Sequence, residues 1–342
     1  AWIGDKLTIN LIFALSIIEW GAASYFVYKL YKPKELAYTS PNSQAETLLD
    51  LFRQYKVYCI PIIPLAWLGA VHDFLDRWML QTWSGPKEQA YFGVAAQISS
   101  VSLLVTTAIL RIFWKEISEA NENEHYSKLG DLYKKTCRRL VFLGAFLSGA
   151  MLPWASEILF LTAGNGYISG VLTFSLMLIY PIHQCLGQIT NTMFYATHKT
   201  RLLMLINGSF LVMGMGFTYV VLAPSTMHIS GYQMGSSGLA LKLIVMQVIF
   251  VNIAMWILSR EFKWPFDWSY QIWSIFYCII VGQILYALVN LNYFSQIFVA
   301  AKIIAFSLLY TIILSFIVVR KPTLVALRPD QLSEFIGRIR VG

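Results

Sequence analysis

Residues 55–83 read YKVYCIPIIPLAWLGAVHDFLDRWMLQTW. Lys56 opens the stretch, and the run from Val57 to Val71 carries no charge. His72, Asp73, Asp76 and Arg77 then follow within about one and a half helical turns. At about 1.5 Å per residue, positions 57–76 cover roughly 30 Å, the hydrocarbon thickness of a bilayer. The stretch therefore predicts a membrane-spanning helix with acid-base chemistry at its far end. Pro61 and Pro64 stand in its first half and should kink or unwind it. A broken helix survives in lipid only where protein or a wetted cavity re-satisfies the backbone. Asp73 and Arg77 share one face, and His72 and Asp76 share another. Asp76 and Arg77 can equally be read as groups that have reached the lipid headgroups.

Composition agrees with this opening. The chain of 342 residues is 57% hydrophobic and 13% charged, where a soluble domain averages about 25% charged, and its mean hydropathy is +0.58. The expected fold class is an all-α integral membrane protein. Nine spans are read, over residues 8–30, 57–76, 91–112, 140–161, 168–195, 202–222, 238–258, 272–291 and 296–319. Of the 26 basic residues, 21 fall on alternate connections and the tail, and only Lys6, Arg77 and Lys87 fall on the opposite side. Lys242 and Lys302 fall inside spans. The positive-inside rule then places the C-terminal tail in the cytoplasm, and it explains the net charge of +8 without nucleic acid. Some of these basic residues are placed to touch anionic membrane lipid.

Two cytoplasmic connections, 45–55 and 126–140, carry apolar residues at helical spacing and read as interfacial amphipathic helices. The longest outer connection, 223–237, has no Lys, Arg, Asp or Glu, so no soluble catalytic domain is expected in it. The four cysteines show no paired spacing, which implies neither a disulfide framework nor a metal site. No nucleotide-binding glycine loop, metal-spaced histidine pair or Ser/His/Asp set is found, so neither an enzyme nor a cofactor is expected.

Ionisable groups at membrane depth are functional candidates by default. Glu19 lies near the middle of the first span, and Glu157 follows Pro153 in the outer half of the fourth. Lys242 stands near the outer end of its span, where snorkelling to the interface is the expected behaviour. Lys302 lies about 10 Å in from the outer end of the ninth span. His183, Gln184, Gln188 and Asn191 form a polar stripe beside Pro181, a candidate wetted face, although a lone histidine is usually a packing residue. Trp264, Trp268, Tyr270 and Trp273 cluster as an interfacial aromatic belt.

Three stretches carry a family resemblance: DRWMLQTWSGPKEQAYFGVAAQISS (76–100), PIHQCLGQITNTMFYATHKTR (181–201) and GYQMGSSGLALKLIV (231–245). In these stretches the chain resembles bacterial polysaccharide and O-antigen flippases, the polysaccharide transporter branch of the multidrug/oligosaccharidyl-lipid/polysaccharide superfamily. Lys242 departs from the apolar residue usual at its position. The order of spans carries the resemblance more than any single motif does. It implies residues 1–30 as the last helix of an incomplete N-terminal lobe, 31–56 as a cytoplasmic linker and 57–258 as a complete six-helix lobe. Residues 259–319 would form two further helices and 320–342 a cytoplasmic tail. The chain would then lack earlier helices of its first lobe.

The resemblance further implies a carrier in the bacterial cytoplasmic membrane. It would move an undecaprenyl-diphosphate-linked oligosaccharide by alternating access, in association with polymerase machinery and with proton or sodium as coupling ion. Arg77, Lys242 and Lys302 are then the candidates for the diphosphate, and Asp73, Glu19 and Glu157 for the coupling ion. The cavity would be lined by the spans at 8–30, 57–76 and 168–195. A membrane-embedded glycan polymerase or ligase and a multidrug exporter remain the alternatives. Cysteines introduced at 116–138 or 320–342 should resist a membrane-impermeant maleimide added to intact cells and react only after lysis; labelling of either segment from outside would reverse the topology.

Overall fold

The prolines at the start of the 55–83 stretch set where its helix breaks. In the computed structural model, which describes residues 9–30, 48–290 and 299–326, helix α2 (Leu48–Cys59) ends one residue before Ile60 and Pro61. Helix α3 (Ile62–Ser84) begins immediately after them, with Pro64 in its first turn, where a missing N–H is tolerated. The expected break is therefore present and is confined to a two-residue turn. Parts of the expected linker, the loop 291–298 and the tail from 327 lie outside the described residues.

The remaining elements are helices: α1 (Ile9–Leu30), α4 (Pro86–Ser100), α5 (Leu104–Glu122), α6 (Tyr126–Met151), α7 (Ala155–Ala163), α8 (Val171–Ala196), α9 (Thr200–Leu222), α10 (Gly235–Glu261), α11 (Ser269–Val289) and α12 (Val299–Arg320). Among the described residues there is no strand. Among the described residues seven helical segments are long and apolar enough to cross a membrane: Tyr55–Ser84, Tyr126–Ala163, Asn165–Ala196, Thr200–Leu222, Gly235–Glu261, Ser269–Val289 and Lys302–Arg320. Pro86–Leu103 and Thr106–Glu122, bent by 47°, make an eighth if they are taken as one span. The protein is thus a multi-pass helical membrane protein. Its outer surface carries large apolar side chains such as Ile253, Ile284, Leu308 and Phe316, as lipid contact requires.

The chain divides into two units, 1–54 and 55–342. The first contains α1, which exposes Ile17, Trp20 and Phe26 along with Glu19. The second is organised on α8, whose Phe174, Ile182, Leu186, Ile189 and Met193 are fully buried. One core cluster joins α8 to α5, α6, α10, α11 and α12. A second, built on Leu80, Phe92, Leu159, Phe174 and Leu239, lies toward the other end of the unit.

The bend between α4 and α5 has a local cause. Ser99, Ser100 and Ser102 turn their hydroxyls back onto the carbonyls of Ala95, Gln97 and Ser99. Such back-bonding competes with the helical ladder, which here gives way to a 3₁₀ turn over Val101–Leu103. At the start of α10, Glu88 accepts hydrogen bonds from the Ser236 N–H (2.8 Å) and hydroxyl, a carboxylate placed on a helix N-terminus.

The segment 126–140 corrects a sequence expectation. It is no separate interfacial helix but the first half of α6. Its stripe of Leu129, Tyr133, Cys137 and Leu140 is buried against protein, and Tyr133 OH lies 2.9 Å from Thr190 Oγ1 of α8. An apolar stripe has the same spacing whether lipid or another helix covers it, and here α8 and the Trp264 ring cover it. At the same end, Arg138 pairs with Asp267, donates to the Thr323 carbonyl at 2.6 Å and stacks 5.3 Å over Tyr270. Burial alone would raise the Asp267 carboxyl; the Arg138 guanidinium and the Ser269 hydroxyl more than offset it and hold the group below its ordinary range.

Helices α6 and α11 approach closely at Gly149 and Gly282, the small-residue packing that brings membrane helices together. A Cβ at Gly149 would lie 2.5 Å from both the Cys278 carbonyl oxygen and Tyr310 OH. Tyr310 itself bridges the helices, donating toward the carbonyls of Phe146 (3.0 Å) and Cys278 (3.2 Å). Gly149→Val should therefore cost about 1–3 kcal/mol, the usual scale of overpacking, seen as a lowered Tm in detergent. Gly216→Ala, where a Cβ would meet nothing within 4 Å, should leave the Tm unchanged or slightly raised.

Candidate functional site: a buried ion pair between two chambers

His72 and Asp76 lie one turn apart on α3 and turn inward together. Opposite them, α9 presents Gly214 and Thr218, and α10 presents Lys242. The Lys242 side chain is 1% exposed, and its Nζ lies 2.8 Å from Asp76 Oδ2, 3.1 Å from Asp76 Oδ1 and 2.9 Å from His72 Nε2. The Thr218 hydroxyl donates to Asp76 Oδ1 at 2.5 Å. Gly214 makes the room: a Cβ there would stand 2.9 Å from His72 Nε2 and 3.7 Å from Lys242 Nζ.

Two sequence expectations are corrected here. Lys242 does not snorkel to the interface, and Asp76 does not reach the headgroups. Each is the other's counter-ion, and a buried charge is tolerated only when it is paired and hydrogen-bonded in this way.

The hydrogen bonds fix the histidine's proton. A lysine ammonium is donor only, so His72 Nε2 must accept from it. The ring proton then sits on Nδ1, which donates to Asp73 Oδ1 at 3.2 Å. A chain of hydrogen bonds thus runs from Asp73, whose side chain is 80% exposed, through His72 and Lys242 to Asp76 and Thr218.

Two chambers flank this cluster. The larger, about 260 Å³, is lined by Lys242 and His72 and by the amides of Gln184, Gln188, Asn191, Asn207 and Gln247. The smaller, about 200 Å³, is lined by Asp76, Arg77, Ser99, Ser100 and Pro181. Asp73, Tyr180 and Leu243 border both. Asp76 thus belongs to the lining of the smaller chamber and Lys242 to that of the larger, with their paired charged groups buried between them. Gln188 Oε1, Asn191 Oδ1 and Asn207 Oδ1 are buried without a partner among the described residues. Gln184 Oε1 accepts from Tyr180 OH at 2.9 Å.

The sequence-derived candidates separate on this geometry. Asp73, Arg77, Lys242, Gln184, Gln188 and Asn191 all border one chamber or both. His183 is buried and lines neither chamber, and its backbone carbonyl accepts from Gln247 Nε2 at 3.4 Å. Glu157, on α7, accepts from Tyr286 OH at 3.0 Å, and Lys302 stands 3.4 Å from Asn290 Oδ1; neither lines either chamber. Glu19 belongs to the first unit, where it is exposed. Helices α3 and α8 line the larger chamber as expected, and α9 and α10 join them. The contributions of Asn207, Gly214, Thr218 and Gln247 were not read from the sequence. Their signal was present: positions 207, 214 and 218 fall on one helical face, and each amide is a lone polar group in an apolar run. Among the described residues no group of His, Cys, Asp and Glu could hold a metal ion.

No protein-family model, curated protein or solved structure matches the chain. Removing one member of the pair leaves a buried charge unmatched, so Lys242→Met and Asp76→Leu should each cost about 3–5 kcal/mol. The double substitution should cost much less than the sum of the two, a coupling that thermal unfolding of the four proteins in detergent would measure.

Proposed function

We propose that this chain is a polysaccharide flippase component of the bacterial cytoplasmic membrane. Its substrate would be an oligosaccharide linked through a diphosphate to a polyprenyl lipid, moved from the cytoplasmic to the outer leaflet by alternating access. The observation that carries the reading is the larger chamber, in which five amide side chains face a space between membrane-spanning helices. An amide both donates and accepts, and so does a sugar hydroxyl. The unpartnered carbonyl oxygens of Gln188, Asn191 and Asn207 suit a hydroxyl-rich ligand or water far better than an apolar one.

The rest of the substrate is matched nearby. Arg77 is exposed at the smaller chamber, beside the hydroxyl-bearing Ser99 and Ser100, and its guanidinium fork suits phosphate oxygens. The lipid tail needs no protein cavity, because the bilayer holds it. The reading includes nine spans, with α1 as the first, a complete six-helix lobe over 57–258, and a cytoplasmic C-terminus. The resemblance in 76–100, 181–201 and 231–245 supports the same assignment.

The test is the fate of lipid-linked sugar in a host whose copy of this gene is deleted. Undissected lipid-linked repeat units on the inner leaflet are expected. Single repeat units accumulating outside would mark a polymerase or ligase, and unchanged glycan would mark an exporter of other molecules. In the complemented strain, Arg77→Lys at normal membrane abundance should lose most export, because an ammonium cannot reproduce a bidentate contact. Wild-type export with both Arg77→Lys and Arg77→Ala would make Arg77 a membrane anchor.

A further inference from the structure

A third cavity, of about 290 Å³, shares no residue with the two chambers. From the start of α6 it is lined by Ser127, Gly130, Asp131 and Lys134, whose spacings of three, one and three put them on one helical face. The facing wall is the turn from α10 to α11. There Lys263 takes a positive φ (56°), and the Trp264 N–H returns to the Ser259 carbonyl at 2.8 Å. The indole ring of Trp264 lies against bare Gly130, where a Cβ would stand 2.8 Å from it, and stacks on Phe262 at 4.9 Å between centroids. At the far end of the turn, Asp267 is tied to Arg138 and to Ser269 Oγ (3.0 Å). The wall is thus held at both ends.

Two features of the lining call for a guest. Tyr270 borders the cavity and is 6% exposed, and its buried hydroxyl has no partner among the described residues. A buried phenol is costly unless water or a ligand answers it. The charges are the second feature. Asp267 is already matched by Arg138. Lys134 makes no ion pair among the described residues, and Asp131 has only Lys135, 3.7 Å away on the same helix. The cavity therefore keeps one ammonium and one carboxylate for a guest, beside the rings of Tyr133, Trp264 and Phe266. A simple anion would be repelled by Asp131, and a simple cation by Lys134. A zwitterion meets each with the opposite sign.

We propose that this cavity binds a zwitterionic amino-phosphate group, the headgroup chemistry of phosphatidylethanolamine. The phosphate accepts from the Lys134 ammonium and the Tyr270 hydroxyl. The guest's own ammonium takes Asp131 and the faces of the aromatic rings. Trp264 and Tyr270 belong to the aromatic cluster read as an interfacial belt, and such residues sit at headgroup level. A lipid can therefore present its headgroup here while its chains stay in the hydrocarbon. The cavity's about 290 Å³ stands near the lower limit of small-ligand sites, about 300 Å³, which suits a headgroup better than an oligosaccharide. The inference does not rest on the transport reading: it concerns a ligand that the protein holds, not one that it moves.

The test is native mass spectrometry of the full chain in a non-ionic detergent, titrated with phosphatidylethanolamine or with phosphatidylglycerol. Wild type should hold phosphatidylethanolamine about tenfold more tightly than phosphatidylglycerol, the scale of one charge-assisted contact. Asp131 and Lys134 are exposed, so substitutions there should keep the fold. Asp131→Asn should abolish the preference, and Lys134→Gln should weaken both lipids. Tyr270→Phe should weaken phosphatidylethanolamine severalfold without lowering the Tm of the lipid-free protein, because the lost hydroxyl has no protein partner among the described residues. Equal affinity for the two lipids in wild type, or tighter phosphatidylglycerol, overturns the zwitterion assignment. So does phosphatidylethanolamine binding that neither Asp131→Asn nor Tyr270→Phe changes. No saturable binding of either lipid, nor of soluble glycerophosphoethanolamine, overturns the site. Displacement of the lipid by glycerophosphoethanolamine at equal concentration makes the soluble amino-phosphate the ligand, and resistance to it makes the lipid the ligand; both outcomes support the site.

Discussion

An ammonium sealed among helices destabilises the fold by several kcal/mol unless a carboxylate and further acceptors meet it there. In this protein that meeting involves three helices at once. Lys242 comes from α10, Asp76 and His72 from α3, and Thr218 from α9. A rotation of any one helix by a single residue, about 100°, would carry its group off the shared point. The pair therefore fixes the rotational setting of three helices, and neighbouring packing is adjusted to it. Gly214 is bare because His72 Nε2 and Lys242 Nζ occupy the volume a side chain would need. The larger chamber beside it is bordered by α8 amides that take no part in the ion pair.

The membrane-spanning helices from 55 onward were legible because hydropathy and length act locally, and both survive whatever the helices pack against. The face shared by His72 and Asp76 was legible for the same reason. The identity of Asp76's partner was not, since Lys242 lies 166 residues away and nothing within its own helix distinguishes burial from snorkelling. The 126–140 segment failed in a parallel way: amphipathic spacing records that one face is apolar but not what covers it. The polar stripe of α8 was read correctly as a run, yet His183 departs from the chamber while Gln184, Gln188 and Asn191 border it. Neighbouring positions differ by about 100° around a helix, so a run of polar residues cannot all face one space.

Two of the irregular stretches border the smaller chamber. Pro181 lacks the N–H that would bond one turn back, toward Met177, and both residues border the smaller chamber. Ser99, Ser100 and Leu103, at the bend between α4 and α5, border the same space. Inside hydrocarbon, freed carbonyls and serine-perturbed turns are stable only beside protein donors or water. Both stretches border the chamber that Asp76 also lines.

The chemistry of the larger chamber bears on the proposed substrate class. A pocket for lipophilic cations needs apolar and aromatic walls with an unneutralised acid. Here Asp76 is already matched by Lys242, and Asp73 is matched in part by the His72 N–H. The rest of the wall combines five amides, three of them with carbonyl oxygens that no protein group answers among the described residues, with the apolar side chains of Phe210, Leu211, Leu243, Met246 and Phe250. An apolar guest would strand those oxygens, at a cost of about 1–3 kcal/mol for each. A polyhydroxyl guest replaces water at each of them with a bond of similar strength, and so it enters a wet chamber with little loss. Such a wall grips no single hydroxyl pattern strongly.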